Sequence, residues 1–184
     1  MILTTERLLL REFEESDWKA VLAYQSDPLY LRYNPWNYRT ETDVRQFVRM
    51  FMDWSEELPR RKFQFGVVLQ TNGELIGNCG IRINSSKPWE ADIGYEFASH
   101  YWGRGYATEV AKKLLAFGFS DLRLHRIWAY CIAENVASER VLEKIGMRYE
   151  GCHYETEWMK DRWWDTLQFA ILDREWNTRV QQNV

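Results

Sequence analysis

The segment from Ile93 to Glu109 constrains the fold more than any other part of the sequence, because it predicts a strand, a glycine-containing turn and a helix in direct succession. Gly103 and Gly105 flank a single residue in the turn, and glycine lacks the Cβ atom that keeps a ligand away from the backbone. The first amides of the following helix have no intrahelical partner, and the helix dipole adds partial positive charge there. The segment therefore predicts an anion site at the end of a strand.

A tight turn without a ligand is the alternative interpretation of a Gly-x-Gly pair taken alone. Two better-known phosphate loops do not fit. The dinucleotide fingerprint needs a third glycine where Thr108 stands, and the nucleoside-triphosphate loop needs Gly-Lys-Ser/Thr, which the segment lacks. Arg104, between the two glycines, would add a full charge at the rim of the turn.

The remaining elements follow from apolar periodicity and turn residues. Helices are predicted to begin near Ser16, Thr40, Gly105 and Asn135. Strands are predicted over residues 7–13, 63–69, 75–83, 91–97, 126–132, 147–158 and 164–172. Their order, βααβββαβαββ, predicts a mixed sheet with helices packed on it, of α/β (α+β) type.

Length, charge and cysteine usage bound the class of protein. The 184 residues fit one domain, and no repeat or linker divides them. A formal charge of −3 argues against a nucleic-acid binder that relies on its overall field, although one local basic groove stays compatible with it. Cys79, Cys131 and Cys152 lack metal-site spacing, and no apolar run approaches a membrane span. We expect one cytoplasmic domain over residues 1–184, without metal, membrane contact or strong nucleic-acid binding.

Asn135 and Ser138 form a second cluster at the start of a predicted helix. The two residues lie three positions apart, so their side chains rise on the same side of the helix. Taken alone, Asn135 is explained as an N-cap and Ser138 as a tolerated serine of the first turn.

The two clusters together resemble the coenzyme signatures of the GCN5-related N-acetyltransferase (GNAT) superfamily, and more narrowly its ribosomal-protein N-terminal (RimJ/RimL-like) branch. The matching motifs are Thr5-Glu6-Arg7-Leu8 with Leu10-Arg11, Ile93-Gly94-Tyr95, Trp102-Gly103-Arg104-Gly105-Tyr106-Ala107-Thr108-Glu109 and Asn135-x-x-Ser138-x-x-Val141-x-Glu143-Lys144-x-Gly146. The resemblance covers residues 3–176 and implies a mostly antiparallel sheet of six to seven strands flanked by about four helices.

The resemblance also implies an acetyl-CoA site. Phe97 and Ala98 would end a strand that splays from its neighbour, and their main chains would pair with the pantetheine arm. Amides of the turn would hold the pyrophosphate; they belong to Gly103, Arg104, Gly105, Tyr106, Ala107 and Thr108. Asn135 would bind the pantetheine, Lys144 would approach the nucleotide, and Ser138 would donate to the thioester sulfur.

Trp102 and His100 complete the candidate coenzyme contacts. His100 departs from the family pattern, because the wider superfamily often has Gln or Arg at this position, three residues before the first loop glycine. The departure leaves the role of this side chain open, but it does not affect a cradle made of backbone amides.

Glu96 is the candidate general base, because strand alternation points it away from Tyr95 and Phe97 near the expected coenzyme entrance. A solvated carboxylate at the strand edge is the alternative. Asp92 and Glu90 are weaker candidates for the base. Two other reactive groups are expected to be structural. The Glu109 carboxylate is expected to pair with Lys113, and the Cys131 thiol is expected to lie in the core. Direct attack by a primary amine in a ternary complex is therefore favoured over an acetyl-enzyme.

The acceptor side is less defined. Residues 34–38 form a candidate lid, and three tryptophans are candidates for pocket walls, core or a homodimer interface; they are Trp158, Trp163 and Trp164. A protein N-terminus, a polyamine, an aminoglycoside-like antibiotic and an amino acid all remain open as acceptors. A catalytically silent coenzyme A sensor with the same fold is the alternative function.

Overall fold

The computed structural model describes residues 1–182, with side chains described through residue 178. Its strands are β1 (Ile2–Thr4), β2 (Leu8–Arg11), β3 (Lys62–Leu69), β4 (Leu75–Ile83), β5 (Glu90–Phe97), β6 (Arg126–Ile132), β7 (Arg148–Met159) and β8 (Arg162–Leu172). Together they form one eight-stranded sheet in the order β1-β2-β3-β4-β5-β6-β8-β7. Only β5 and β6 pair in parallel, and every other neighbouring pair in the described chain is antiparallel.

Six α-helices lie within residues 1–182. They are α1 (Trp18–Gln25), α2 (Pro28–Leu31), α3 (Glu41–Glu56), α4 (Tyr106–Ala116), α5 (Val136–Lys144) and α6 (Asp173–Gln182). None of them combines the length and the apolar character that a membrane crossing requires.

The seven predicted strands and four predicted helices are confirmed, and three further elements were not predicted: β1, α2 and α6. Strand β1 has three residues, too few for a periodicity, and α2 has one turn. The carboxylate of Asp27 accepts a hydrogen bond from the Leu29 amide at 2.9 Å, so Asp27-Pro28 ends α1 and also starts α2. Helix α6 is largely polar and lacks the apolar stripe that predicts a helix.

The prediction that Ser16 caps the first helix is wrong. Ser16 lies inside a 3₁₀ turn over Glu15–Asp17, and α1 begins only at Trp18. The turn is held by Asp17, whose carboxylate accepts from the Glu14 amide at 2.8 Å. Asp17 therefore stabilises the 3₁₀ turn that precedes α1, and it makes no side-chain cap bond to α1 itself.

The helices cover the sheet on both faces. On one face, Asn78 of β4 contacts Tyr24 of α1, with the amide nitrogen 3.0 Å from the phenol oxygen. On the other face, Ile81 of β4 and Ile127 of β6 lie against Gly118, in the π turn that continues α4. Because side chains alternate between the faces of a strand, each helix layer encloses its own set of strand residues.

Strands β5 and β6 separate after a short paired stretch. Glu90–Asp92 of β5 pairs with Arg126–Trp128 of β6, and beyond these residues the two strands continue without pairing to Phe97 and Ile132. A gap therefore opens in the middle of the sheet at the carboxyl ends of both strands, and the predicted splay of β5 is confirmed.

Leu10→Ala is expected to lower the free energy of unfolding by about 2–5 kcal/mol, because Leu10 of β2 is fully buried and its truncation leaves a cavity. Leu58→Ala is the matched control. Leu58 is 94% exposed, so the same substitution there is expected to change stability by no more than about 0.5 kcal/mol. Denaturant unfolding measures both, and equal effects would contradict the described core.

Candidate active site

The unpaired edge of β5 presents main-chain groups to the gap. The Ala98 amide donates to Ile76 of β4 at 2.9 Å, and hydrogen-bonding direction alternates along a strand. The main-chain groups of Phe97 and Tyr95 therefore point away from β4, toward the gap. Consistent with this direction, the Phe97 carbonyl accepts from the Trp102 indole at 2.9 Å.

The predicted main-chain contacts of Phe97 and Ala98 are only partly available. Both main-chain groups of Ala98 already have partners, since its carbonyl accepts from the Tyr101 amide at 3.0 Å. The expectation that Ala98 is free to pair is therefore wrong for its amide, which faces β4. The Phe97 amide and the main chain of Tyr95 are the groups that face the gap.

The glycine turn forms a cradle of amides at the end of β5. Gly103 and Gly105 have φ values of 73° and 83°, in the left-handed region that glycine adopts without strain. A Cβ atom at Gly103 would meet nothing within 4 Å, so the backbone there is open to a ligand. At the start of α4, the first amide with a main-chain acceptor is that of Glu109, which donates to the Gly105 carbonyl at 3.0 Å. In the described chain, the amides of residues 103–108 have no main-chain acceptor.

A side-chain clamp from the segment between β1 and β2 holds this turn. The Arg7 guanidinium donates to the Arg104 carbonyl at 3.0 Å and to the Glu109 carboxylate at 2.7 Å. It also lies over the Tyr106 ring, 4.4 Å from the centroid. Thr5 donates its hydroxyl to Glu109 at 2.6 Å. The structural interpretation of Glu109 is therefore correct.

The predicted partner of Glu109 is wrong. Glu109 forms its ion pair with Arg7, which is 102 residues away in sequence, whereas Lys113 lies one helical turn away on α4. Burial alone would raise the pKa of Glu109, but hydrogen bonds from Thr5 and Arg7 outweigh it and hold the pKa below its usual value.

Two hydroxyl groups meet beside the gap on the α5 side. The Tyr95 phenol oxygen lies 3.1 Å from the Ser138 hydroxyl oxygen and 3.3 Å from the Ser138 carbonyl. Burial raises the pKa of Tyr95, so the phenol keeps its proton. Asn135 caps α5 through its side-chain oxygen, 3.2 Å from the Ser138 amide, which leaves its NH₂ group for other contacts. Asn135 is therefore the predicted N-cap.

Glu96 lies on the opposite face of β5, in a network of donors. Its Oε1 atom accepts from the Tyr24 hydroxyl at 2.9 Å, from Gln25 at 3.1 Å and from Asn78. Its Oε2 atom accepts from the Tyr30 hydroxyl at 2.6 Å. Burial and the Glu96 charge raise the pKa of both tyrosines, which therefore remain donors. Glu96 is thus an anchored carboxylate rather than a freely solvated one.

The candidate lid touches the hairpin between β7 and β8. Lys160, at the tip of that hairpin, donates to the Trp36 carbonyl at 2.5 Å and to the Asn37 side chain at 2.8 Å. Nearby, Tyr33 donates its hydroxyl to the Glu134 carbonyl at 2.9 Å. The segment after α2, the end of β6 and this hairpin therefore form one surface.

The three candidate tryptophans have two different environments. Trp164 is buried with Ile132 and Met159, which makes it core, as one of the open interpretations predicted. Trp158 and Trp163 are exposed and pack on each other, with ring centroids 5.2 Å apart. A cavity of ≈ 310 Å³ lies beside Trp163 and Trp164.

The other predicted side chains lie around the cradle or in the core. His100 is exposed against the Tyr101 ring, at a centroid distance of 4.2 Å, and Arg104 is exposed over the same ring. Lys144 is the exposed last residue of α5. Cys131 is buried, which raises the pKa of its thiol to about 11, and it is core as predicted. Within the described side chains, no cluster of three His, Cys, Asp or Glu could hold a metal ion.

Sequence reasoning assigned no role to several residues that the structure brings to the site. Arg7 and Tyr95 stand inside recognised motifs, so the motifs themselves carried a signal. Tyr24, Tyr30 and Asn78 carried none, because each contacts Glu96 from a position 18 to 72 residues away in sequence.

The structure thus combines a parted pair of parallel strands with a cradle of amides, at the end of β5, that have no main-chain acceptor in the described chain. The family model of the acetyltransferase (GNAT) domain matches residues 7–148. The chain belongs to the GNAT family and is an N-acetyltransferase.

Individual relatives agree with this assignment. The uncharacterized N-acetyltransferase YnaD of Bacillus subtilis is 40% identical over 177 residues, which are 96% of this chain and 100% of the relative. A GNAT acetyltransferase from Bacillus anthracis has a crystal structure that is 37% identical, with a TM-score of 0.82 and coverage of 95% of this chain and 99% of that chain.

The fold extends to more distant proteins. RimL, the ribosomal L7/L12 α-N-protein acetyltransferase in complex with coenzyme A, has a TM-score of 0.82 at 19% identity, covering 94% of this chain and 98% of its own. At that identity the likeness shows the fold alone.

Glu109→Gln is expected to lower stability in a pH-dependent way. Because the folded pKa of Glu109 lies below its unfolded value, the carboxylate stabilises the protein above that unfolded value, about 4.3. This contribution is lost as pH falls through the folded pKa. The stability difference between wild type and variant should therefore be largest near neutral pH and shrink below about pH 4.

Denaturant unfolding between pH 3 and 7 measures that difference. Glu143→Gln is the control, since it removes an exposed carboxylate one residue from the end of α5. A Glu109→Gln difference that stays constant over the whole pH range would contradict the clamp.

Proposed function

We propose that this N-acetyltransferase uses acetyl-CoA and transfers the acetyl group to a primary amine by direct attack in a ternary complex. The separation of β5 from β6 beside the amide cradle carries the proposal, because it offers both a strand edge and an anion site to one ligand. We further propose that residues 1–184 form a single catalytic domain.

The coenzyme is proposed to lie along the gap with its pyrophosphate at residues 103–108. The pantetheine would pair with Phe97 and Tyr95, whose main chains face the gap, as an added strand pairs with a sheet edge. Trp102 would border the arm through the indole that already holds the Phe97 carbonyl. Asn135 would contribute its NH₂ group.

Three exposed side chains would complete the coenzyme site. Arg104 and His100 lie at the rim of the turn, and Lys144 ends α5, where positive charge would meet the nucleotide phosphates. The backbone cradle supplies the main part of the affinity in this proposal, since it is fixed before the ligand arrives.

The acetyl transfer needs a neutral amine, a polarised carbonyl and a protonated leaving group. The amine nitrogen attacks the thioester carbon, the C–S bond breaks, and the sulfur takes a proton; solvent then returns a proton to the donor and removes the amine proton from the base. We assign Ser138 to donate to the departing sulfur, with Tyr95 as the hydroxyl that holds it. The Phe97 amide would polarise the carbonyl oxygen.

Glu96 is proposed to receive the proton of the amine, directly or through a water. Its Oε2 atom has one donor partner and keeps a lone pair, which supports this role. An α-amine with a pKa near ~8 needs a weaker base than a lysine near ~10.4. The acceptor is therefore a protein N-terminus or a small-molecule amine, and the residues of the site favour neither.

Gly105→Glu is expected to weaken acetyl-CoA binding by at least about tenfold, or about 1.4 kcal/mol. The new carboxylate would stand at a left-handed position inside the anion cradle. Gly151→Glu is the control, because it adds the same charge in β7 where a Cβ atom meets nothing within 4 Å. Calorimetric titration measures both, and unaltered binding by Gly105→Glu would place the coenzyme elsewhere.

Glu96→Gln is expected to lower kcat by about 10²-fold, the scale of a lost general base, while acetyl-CoA affinity stays unchanged. The measurement is thiol release with a panel of peptide, polyamine, aminoglycoside and amino-acid acceptors. Glu56→Gln, at the exposed last residue of α3, is the control for loss of one carboxylate. Full activity in Glu96→Gln would remove Glu96 from the mechanism.

A further inference from the structure

The Glu96 carboxylate is the end point of a first chain of side-chain hydrogen bonds, which begins at Arg39, two residues before α3. Arg39 donates through Nε to the Gln25 side-chain oxygen at 3.0 Å, and Gln25 donates through Nε2 to Oε1 of Glu96 at 3.1 Å. Gln25 is fully buried, so its amide has no water with which to replace either contact.

A second chain reaches the same oxygen from the direction of β3 and β4, along the same face of the sheet. Arg82 of β4 donates to the Gln64 side-chain oxygen at 3.2 Å, and Gln64 donates to the Asn78 side-chain oxygen at 2.7 Å. Asn78 then donates to Oε1 of Glu96. Gln64 and Asn78 are 3% and 4% exposed, so this chain is buried as well.

Two glycines keep the space that the second chain occupies. A Cβ atom at Gly80 would lie 2.1 Å from the Gln64 side-chain oxygen, and one at Gly94 would lie 3.0 Å from an Arg82 nitrogen. Neither glycine has a positive φ angle, so backbone conformation does not require them. Room for the Gln64 and Arg82 side chains is therefore the physical reason for glycine at these positions.

An arginine at the start of each chain fixes the direction of every amide in it. A guanidinium only donates, so the oxygen of the neighbouring amide must face it, and the NH₂ group must then point along the chain. A flipped amide would set donor against donor and leave a buried polar atom unpaired, which is unfavourable. The last amide of each chain, Gln25 or Asn78, therefore donates its NH₂ group to Glu96.

This arrangement makes the two oxygens of Glu96 unequal. Oε1 accepts from Tyr24, Gln25 and Asn78, whereas Oε2 accepts only from Tyr30. A carboxylate offers about four lone-pair positions in all, so Oε1 is saturated and Oε2 keeps one position free.

The other charged groups around Glu96 do not change this asymmetry. Asp92 is engaged by Arg82 in an ion pair. Arg39 is held by Gln25, the Asp43 carbonyl and the rings of Trp36 and Phe47.

We propose that Arg39 and Arg82 are positioning residues for acetyl transfer. Arg39 directs the amide of Gln25 and Arg82 directs the amides of Gln64 and Asn78, so that both chains donate to Oε1 of Glu96 and Oε2 alone meets the acceptor amine. The role of Oε2 rests on the proposed function, whereas the direction of the amides does not. The acceptor that this carboxylate selects is a cationic primary amine, which enters from the α1–α2 side of β5.

The first test measures amide direction in the protein without ligand, by nuclear magnetic resonance of the Gln25 side-chain NH₂ group, assigned by its loss in Gln25→Met. Arg39→Met is expected to speed solvent exchange of this group by at least about tenfold, because the amide is no longer fixed. Arg39→Lys, which still only donates, should preserve slow exchange. Unchanged exchange in Arg39→Met would overturn the proposal.

The second test is a double-mutant cycle on kcat/KM for the acceptor amine. Arg39→Met and Gln25→Met are each expected to lower it by about tenfold, and Arg39→Met should add less than about twofold in the Gln25→Met background. Additive effects would mean that Arg39 acts through its aromatic contacts instead, and would overturn the positioning role. Arg45→Met is the control, since Arg45 also stacks on a tryptophan, Trp18, at 4.0 Å.

The two tests separate failure of the inference from failure of the proposed function. A protein that binds no acetyl-CoA and acetylates no amine refutes the proposed function and the role of Oε2 in the kinetic test. The exchange measurement would still decide whether Arg39 directs the amide of Gln25.

Discussion

The separation of two parallel strands is the constraint on which the rest of this structure depends. Since β5 and β6 run in the same direction, both end at the same edge of the sheet, and the segments leading to α4 and α5 leave from that edge. The amides at the start of α4 and the cap of α5 are thereby brought to the two sides of one gap. Ligands of open α/β sheets bind at the carboxyl ends of strands for the same reason.

The alternation of side chains along β5 divides the chemistry between two faces. Tyr95 contacts Ser138 on the side of α5, and the adjacent Glu96 contacts α1 and α2 on the other side. The groups proposed for the leaving sulfur and for the incoming amine therefore lie on opposite faces of the sheet, although they are neighbours in sequence. In the proposed function, coenzyme and acceptor meet through the gap between the strands.

The sequence allowed prediction of the parts that depend on local pattern. Seven strands, four helices and the glycine turn follow from periodicity and turn chemistry, whereas β1 and α2 are too short to show a period. The side-chain networks could not be predicted, because their members are far apart in sequence. Local rules paired Glu109 with Lys113, but the fold supplies Arg7, which donates from both its side chain and its backbone amide. Motifs indicated the candidate coenzyme segment, and tertiary packing decided which side chains hold that segment in place.

The clamp between Arg7 and the glycine turn has a consequence for how the protein folds. Its partners are separated by about one hundred residues, so the turn reaches its final form only after the opening strand has joined the sheet. A chain in which that strand has not docked would expose a loose loop in place of the cradle. A ligand that binds only the finished turn would increase the fraction of molecules in the fully folded state by mass action. The supply of cosubstrate would then set how long the enzyme stays folded.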